Sequence, residues 1–166
     1  QPVIISDFKA DFTIPDSACV GTAVSMLDIS STGVDGWVWT KNGAQFSVAQ
    51  NPSSIFNTPG TYTIVLTAQN STSNCTDTET KTIVIVPNPT PTFTATPTSG
   101  CVPLNVTFEN TSMDGTSFEW SFGDGTPNYS GLTPPIHVYN DYDTFTVVLI
   151  STGIYGCVDS LRSVDL

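Results

Sequence analysis

Apolar and polar residues alternate along several short stretches of the chain, and turn-forming residues bound each stretch. A period of two is typical of β-strands that bury one face. It predicts strands at 63–67, 82–86, 104–108 and 146–150, with a shorter one at 26–29. No window combines a helical period with capping residues at its ends. The pattern therefore predicts an all-β fold built from short strands.

The chain repeats itself once. Cys101 and Cys157 follow Cys19 and Cys75 at the same offset of 82 residues. Between the cysteines, a tryptophan-bearing strand and a later β-branched strand recur at offsets of 81 and 83. Drifts of one residue confined to turns are expected when a domain is duplicated and its loops then vary. The two halves are therefore copies of one domain.

Three prolines at 87, 89 and 91 separate the copies. Proline lacks an amide donor and fixes φ, so this segment is predicted to be a short, semi-rigid extended linker. The predicted domains are 1–87 and 88–166. Six or seven short strands, frequent turns and one tryptophan in a central strand of each copy are typical of an immunoglobulin-like β-sandwich. The predicted fold class is thus all-β, with two such sandwiches in tandem.

Composition excludes two classes of partner. The 166 residues include fifteen Asp and Glu but only four Lys and Arg, for a formal net charge of -11. Nucleic acid and anionic membrane surfaces both require basic neutralisation, so neither is an expected partner. No stretch approaches the roughly 18 apolar residues of a membrane-spanning helix. We expect a folded protein without direct membrane insertion.

The four cysteines are predicted to form one disulfide in each domain, Cys19–Cys75 and Cys101–Cys157. Of the three possible connectivities, only this one lets each copy fold alone. A domain of about 80 residues is marginally stable, and a disulfide closing such a loop would add about 4 kcal/mol. The alternative is a zinc site, which needs CxxC-type pairs or clustered histidines that the sequence lacks. Disulfides indicate an extracellular or cell-surface location.

The second copy carries three motifs in order. W-x-F-G-D-G occupies 120–125, H-x-Y occupies 137–139, and a β-branched strand follows at 143–149. At this spacing they resemble the polycystic kidney disease (PKD) domain, and the cysteine-bearing segments resemble a disulfide-containing type from Bacteroidetes-like cell-surface proteins. The first copy lacks F-G-D-G and H-x-Y but keeps the closing strand at 57–66. The resemblance implies tandem PKD domains.

The signature residues are predicted to have structural roles. Gly123, Asp124 and Gly125 should form a tight turn in which the glycines have positive φ and the carboxylate accepts hydrogen bonds from neighbouring amides. Trp120 and Phe122 should point to one face of their strand and fill the core. The remaining signature positions are Trp39, Tyr62, His137, Tyr139 and Phe145.

His137 is the only histidine, and its match to H-x-Y predicts a hydrogen bond to a turn. The catalytic interpretation would require a nucleophile or a paired acid beside it. No Ser–His–Asp order, H-E-x-x-H motif or glycosidase-like carboxylate pair can be argued from the sequence. We expect no catalytic residues and no enzymatic activity.

Calcium is the one cofactor that the sequence leaves open. It takes oxygen ligands from carboxylates and loop carbonyls, and some PKD-type domains bind it through the loop between the second and third strands. In each copy this loop retains one aspartate before a glycine, Asp35 and Asp114. A plain Asp–Gly turn is the default interpretation of both.

Exposed aromatic residues would allow binding to sugars. Aromatic residues at alternate strand positions usually fill the core instead, and Trp37 should face the same side as Trp39. The candidates for a sugar-binding platform are Trp37, Tyr129, Tyr139, Tyr142 and Tyr155.

These features together predict a non-catalytic extracellular structural or interaction module, part of a cell-surface adhesin or an extracellular filament. Its expected partners are protein or glycan at the cell surface, or neighbouring copies of the chain that pair along sandwich edges. The alternative is an accessory substrate-binding or spacer region of a secreted hydrolase.

Overall fold

A computed structural model describes residues 8–163. The chain divides between Val86 and Pro87 into two compact units, here termed the first and second modules. In the described range the regular elements are sixteen β-strands and one 3-10 turn, Ile154–Gly156. The prediction of an all-β fold is confirmed.

The first module is a sandwich of nine strands. A five-stranded sheet has the order β2-β9-β8-β5-β6, and the pairs β1-β4 and β3-β7 cover it. The β8–β9 ladder is the longest, running from Gly60 opposite Ile85 to Asn70 opposite Cys75. The strands are β1 Phe12–Thr13, β2 Ser17–Cys19, β3 Ala23–Ser25, β4 Leu27–Asp28, β5 Gly36–Lys41, β6 Ala44–Ser47, β7 Ser53–Ile55, β8 Gly60–Asn70 and β9 Cys75–Val86.

Alternation in β8 and β9 creates the core of the first module. Ile64 and Leu66 of β8 and Ile83 of β9 are fully buried, while the residues between them are more exposed. Trp39 of β5 lies among them and meets the Phe12 ring edge-on at 5.0 Å between centroids. The sandwich is therefore held by apolar side chains from both layers.

The second module has seven strands in two sheets, ordered β13-β12-β15-β16 and β10-β11-β14. Its core comprises Val106, Phe108, Trp120, Phe122, Tyr139, Val147 and Leu149. Since β15 begins at Val147, Phe145 lies two residues before it, within the segment 143–149 that was predicted as a strand. The strands are β10 Phe93–Thr96, β11 Leu104–Asn110, β12 Gly115–Ser121, β13 Tyr129–Ser130, β14 His137–Tyr139, β15 Val147–Gly153 and β16 Val158–Ser163.

The predicted disulfide Cys19–Cys75 is wrong. Cys75 carries a free thiol, whereas Cys19 is disulfide-bonded. Cys19 pairs with Val86 at the last residue of β9, and Cys75 is the first residue of that strand. At about 3.3 Å per residue, the strand separates them by roughly 35 Å. A disulfide requires Cα atoms within about 7 Å of each other.

The predicted disulfide Cys101–Cys157 is wrong for the same reason. Cys101 has a free thiol and precedes Leu104, which pairs with Tyr139 at one end of the sandwich. Cys157 is disulfide-bonded and lies at the other end, where its carbonyl accepts a hydrogen bond from the Gly153 amide at 2.7 Å. The length of β15, about 20 Å, lies between these ends. Equal spacing in the two copies reflects equal positions in the fold, and it does not imply that the two cysteines are close.

Candidate functional site

The signature turn of the second module packs directly on Thr146, the residue that precedes β15. Gly123 and Gly125 have φ of 80° and 78°, as predicted for glycines in this turn. A Cβ at Gly123 would lie 2.4 Å from the Thr146 carbonyl oxygen, whereas a Cβ at Gly125 would have no neighbour within 4 Å. The first glycine is therefore required by close backbone approach as well as by its φ.

Asp124 organises this turn through both carboxylate oxygens. Its Oδ1 accepts hydrogen bonds from the Thr126 amide at 3.1 Å and the Thr126 hydroxyl at 2.6 Å. Its Oδ2 lies 2.7 Å from Nε2 of His137. The side chains of His137 and Asp124 are only 13% and 9% exposed. The expected hydrogen bond between His137 and a turn is thus present, in a largely buried pair.

A row of stacked rings fixes the histidine. His137 lies parallel to Phe122 at 3.9 Å between centroids and meets Tyr139 edge-on at 4.6 Å. The Tyr139 hydroxyl donates to the Phe122 carbonyl at 3.1 Å, and its ring stacks on Phe145 at 4.6 Å. In the described part of the chain no serine or cysteine side chain is hydrogen-bonded to His137. Stacking and hydrogen bonding thus hold His137 against the turn at Asp124.

The electrostatics of the cluster stabilise the same geometry. Burial by itself would raise the pKa of Asp124, but hydrogen bonds from Thr126 and His137 outweigh it and hold that pKa below its usual value. Burial and the charge of Asp124 raise the pKa of the Tyr139 phenol. The carboxylate therefore stays ionised and the phenol stays protonated, as their hydrogen bonds require.

We expect Asp124→Asn to lower the free energy of unfolding of the second module by about 1.5–3 kcal/mol at neutral pH, because it removes charge-assisted hydrogen bonds. Since the pKa of Asp124 is depressed by folding, its contribution is complete above the unfolded-state pKa near 3.9 and is lost as pH falls through the lower folded-state value. Urea titrations of both proteins should therefore converge in acid. Asp141→Asn, at an exposed aspartate, is the control; a gap that persisted below both pKa values would contradict the role of ionisation.

The first module keeps the tryptophan anchor but replaces the turn. The indole of Trp39 donates to the Ala49 carbonyl at 2.8 Å, and that of Trp120 donates to the Gly131 carbonyl at 3.1 Å. An Asn42–Gly43 hairpin with two positive φ angles, 48° and 82°, joins β5 to β6. Asn42 also ties the hairpin to β8, because its amide donates to the Thr63 carbonyl at 2.9 Å and its Oδ1 accepts from the Thr63 amide at 2.9 Å. This copy therefore holds its turn without F-G-D-G and H-x-Y.

Sequence reasoning missed the polar site of the first module at Asp28. Its carboxylate accepts hydrogen bonds from the Trp37 indole at 2.8 Å and the Ser30 hydroxyl at 2.5 Å. Burial alone would raise the pKa of Asp28, yet these bonds and one from Gln50 hold it below the usual value. Trp37 packs against the core beside Trp39, as expected. A Trp37 indole that packs against the core needs a hydrogen-bond acceptor, and that need was the only signal in the sequence for a polar partner such as Asp28.

The two candidate calcium aspartates lie in loops, each immediately before a strand, β5 or β12. Both oxygens of Asp35 accept from the Ser71 amide, at 2.9 and 3.1 Å, and Oδ2 also accepts from the Ser71 hydroxyl at 2.5 Å. Asp114 has φ of 60° and precedes Gly115 at the start of β12. Among residues 8–163, no group of three or more His, Cys, Asp or Glu side chains could hold a metal ion. The hydrogen bonds between Asp35 and Ser71 tie the start of β5 to the connection between β8 and β9.

The aromatic candidates do not form one platform. Tyr139 is only 4% exposed, whereas Tyr142 and Tyr155 are 95% and 64% exposed. Tyr155 lies in the turn after β15. Tyr142 lies at the opposite end of the second module, where it lines an open cleft of about 400 Å³ together with Pro97, Val102, Leu104 and Phe145. One exposed ring at each end cannot contact the same sugar.

Residues 86–166 match the family model described as the PKD domain. The match covers the second module, in agreement with the resemblance that its motifs indicated, and it does not extend over the first module. No curated protein shows significant similarity to the chain. No helix in the described residues is long and apolar enough to cross a membrane.

Solved structures resemble the chain in fold. The fibronectin(III)-like modules of Clostridium thermocellum CbhA share 15% identity, with 92% of each chain covered and a TM-score of 0.50. The PKD1 domain of the Vibrio cholerae metalloprotease PrtV shares 23% identity over 47% of this chain and 95% of that one, with a TM-score of 0.41. The first likeness confirms the immunoglobulin-like sandwich. At these identities the similarity concerns fold alone.

Proposed function

We propose that the chain is a non-catalytic extracellular module that transmits tension and presents interaction surfaces in a cell-surface adhesin or an extracellular filament. The observation that carries this proposal is the parallel pairing of β2 with β9 in the first module. Ser17, Ala18 and Cys19 lie opposite Val84, Ile85 and Val86. The strand by which the chain enters the large sheet thus runs beside the strand by which it leaves.

Parallel pairing determines how the module responds to pulling. Tension reaches β2 at Ser17 and leaves β9 at Val86, so the two strands are drawn along each other in opposite directions. The hydrogen bonds of the pair, including Val84 amide to Asp16 carbonyl at 2.9 Å and Val20 amide to Val86 carbonyl at 3.0 Å, then share the force. An antiparallel pair pulled from one end would open one bond at a time. The geometry favours resistance to force.

The groups with catalytic potential support the same proposal. His137 and Asp124 are bound to each other in a largely buried turn, and Tyr139 is held by its bond to the Phe122 carbonyl. Immunoglobulin-like and PKD folds usually serve as non-catalytic modules. All three side chains have structural partners, and none of them is presented to a substrate.

Single-molecule pulling on the whole chain, with a reducing agent present to keep Cys19 from contributing a covalent link, tests the mechanical role. Val20→Pro removes the amide that donates to Val86, and we expect it to lower the unfolding force of the first module clearly. The matched control is Val24→Ala, a buried change in β3 on the other layer, which should lower stability with less effect on force. Urea titration of both variants gives the free energy for the comparison. An equal loss of force at equal loss of stability would refute the proposal.

The alternative, an accessory substrate-binding region of a secreted hydrolase, is favoured by one observation, the cleft beside the exposed Tyr142. A stacked sugar there would require that ring. Pull-down with insoluble polysaccharides tests it: binding that Tyr142→Ala abolishes, while Tyr155→Ala leaves it intact, would support the alternative. Equal retention of wild type and both variants would contradict it.

A further inference from the structure

We propose that Cys75 and Cys101 join copies of this chain head to tail through intermolecular disulfides. The inference deepens the proposed filament by naming a second copy of the chain as the partner. It rests on the proposed function only for the idea of a filament. The disulfide between copies and the resistance to force are measured in separate experiments.

The internal repeat sorts the four cysteines into two positions. Each copy has an earlier and a later cysteine. The earlier ones are Cys19 and Cys101, which we term the first position, and the later ones are Cys75 and Cys157, the second position. The disulfide-bonded cysteines, Cys19 and Cys157, are one from each position. The free thiols, Cys101 and Cys75, are also one from each position. The two free thiols therefore comprise one cysteine from each repeat position, as the two disulfide-bonded cysteines do.

Each free thiol lies at the end of its own module that is remote from the linker. β9 begins at Cys75 and ends at Val86, where the linker starts. In the second module the linker residue Thr90 pairs with Met113, close to the Gly115–Gly153 end of the sheet. Cys101 lies at the opposite end, beyond Leu104. In each module the length of a strand separates the free thiol from the other cysteine of that module, so the two cannot form a disulfide with each other.

The surroundings of the thiols are open to a second molecule. Cys101 is exposed and lies within the segment that lines the 400 Å³ cleft, next to Val102, which is 44% exposed. Cys75 is half-buried at the base of the exposed turn 71–74. Cys75 thus lies at the base of a projecting turn, and Cys101 lies between residues that line a cleft, so the two thiols have unlike surroundings. Such unlike surfaces make a heterologous contact, which propagates into an open filament.

The linkage forms by thiol–disulfide exchange with a small disulfide such as glutathione disulfide. One protein thiolate attacks it, and a mixed disulfide forms as the first glutathione leaves. The thiolate of the other copy then attacks the protein sulfur, the second glutathione leaves, and both released thiolates take up the protons of the two cysteines. The two protein thiols are oxidised and one glutathione disulfide is reduced to two glutathiones.

The test uses the 166-residue chain with Cys19 and Cys157 retained. Cys75→Ser and Cys101→Ser variants are oxidised with glutathione disulfide, each alone and as an equal mixture, at 0.15 M salt or above. At that ionic strength screening over about 8 Å limits repulsion between copies that each carry a net charge of -11. Peptide mapping counts the three possible cross-links. We expect Cys75–Cys101 links in the mixture to exceed same-residue links by about tenfold, the ratio given by a modest interface preference.

Wild type oxidised in the same way should give a ladder of covalent oligomers, and neither variant alone should extend beyond a dimer. The same mixture oxidised in urea is the control, where random encounter makes half of the links heterotypic. Three results would each overturn the proposal: a random distribution in the folded mixture, predominance of same-residue links, or a wild-type monomer in which Cys75 and Cys101 of one chain are joined. None of these bears on the force measurement, which is made under reduction.

Discussion

Replacing Trp120 with alanine is expected to lower the free energy of unfolding of the second module by about 3–5 kcal/mol, the range for a large buried aromatic residue. Trp120 is fully buried, lies 5.3 Å from the Phe93 ring and 5.9 Å from the Phe108 ring, and donates its indole hydrogen to the Gly131 carbonyl. The substitution leaves a cavity, and it leaves the partly buried Gly131 carbonyl without its donor. For a module of this size, that is a large part of the whole stability.

Hydrogen exchange read by peptides measures the effect in each module separately. Protection should fall in β11, β12 and β15, while the first module, which has its own core, keeps its exchange rates. Tyr142→Ala is the control, because it removes an aromatic residue of the same module that is 95% exposed. Comparable losses for Trp120→Ala and Tyr142→Ala would show that the packing around Trp120 is not what stabilises the module.

The second large effect is expected for Gly123→Ala. The alanine would have to adopt the φ of 80° that Gly123 has. Its Cβ would lie 2.4 Å from the backbone oxygen and 2.9 Å from the backbone nitrogen of Thr146. The left-handed conformation costs about 1–2 kcal/mol and the overpacking about 1–3 kcal/mol more, so the expected loss is roughly 2–5 kcal/mol. The backbone of Thr146, which immediately precedes β15, cannot move aside as a flexible side chain can.

Gly125→Ala is a matched control for this change. Gly125 has nearly the same φ, 78°, with open space where a Cβ would lie. It should therefore show only the conformational cost of about 1–2 kcal/mol. Urea titrations of the two variants separate strain from collision. Equal losses would mean that the turn does not press against Thr146.

Local pattern was enough to predict the fold class and the buried side chains. Alternation in β8 and β15 identifies the core face, and the motif spacing identified the turn that Asp124 and His137 share. These are short-range facts, since the pleat of a strand fixes side-chain direction within two residues. The first module was predictable through its copy, although its motifs had diverged.

The cysteine pairing was not predictable in this way. A separation of 56 residues in both copies suggested that Cys19 and Cys75 are partners, but proximity depends on which strands are neighbours and in what direction they run. Cys19 lies beside Val86 because β2 joins β9 in parallel, and no local pattern encodes that crossing. The bond from Trp37 to Asp28 likewise depends on a contact between layers. The position of Cys19 and the bond of Trp37 both depend on which distant segments of the chain lie next to each other.

The indole bonds of Trp39 and Trp120 suggest how the two copies were able to diverge. Each indole donates to a main-chain carbonyl, of Ala49 in one module and of Gly131 in the other. A main-chain acceptor is present whatever side chain the residue carries. The connecting loop could thus exchange almost every residue while its attachment to the core survived. Natural variation should therefore concentrate in these loops and spare the tryptophans, which makes them the positions at which new binding surfaces can evolve on an unchanged scaffold.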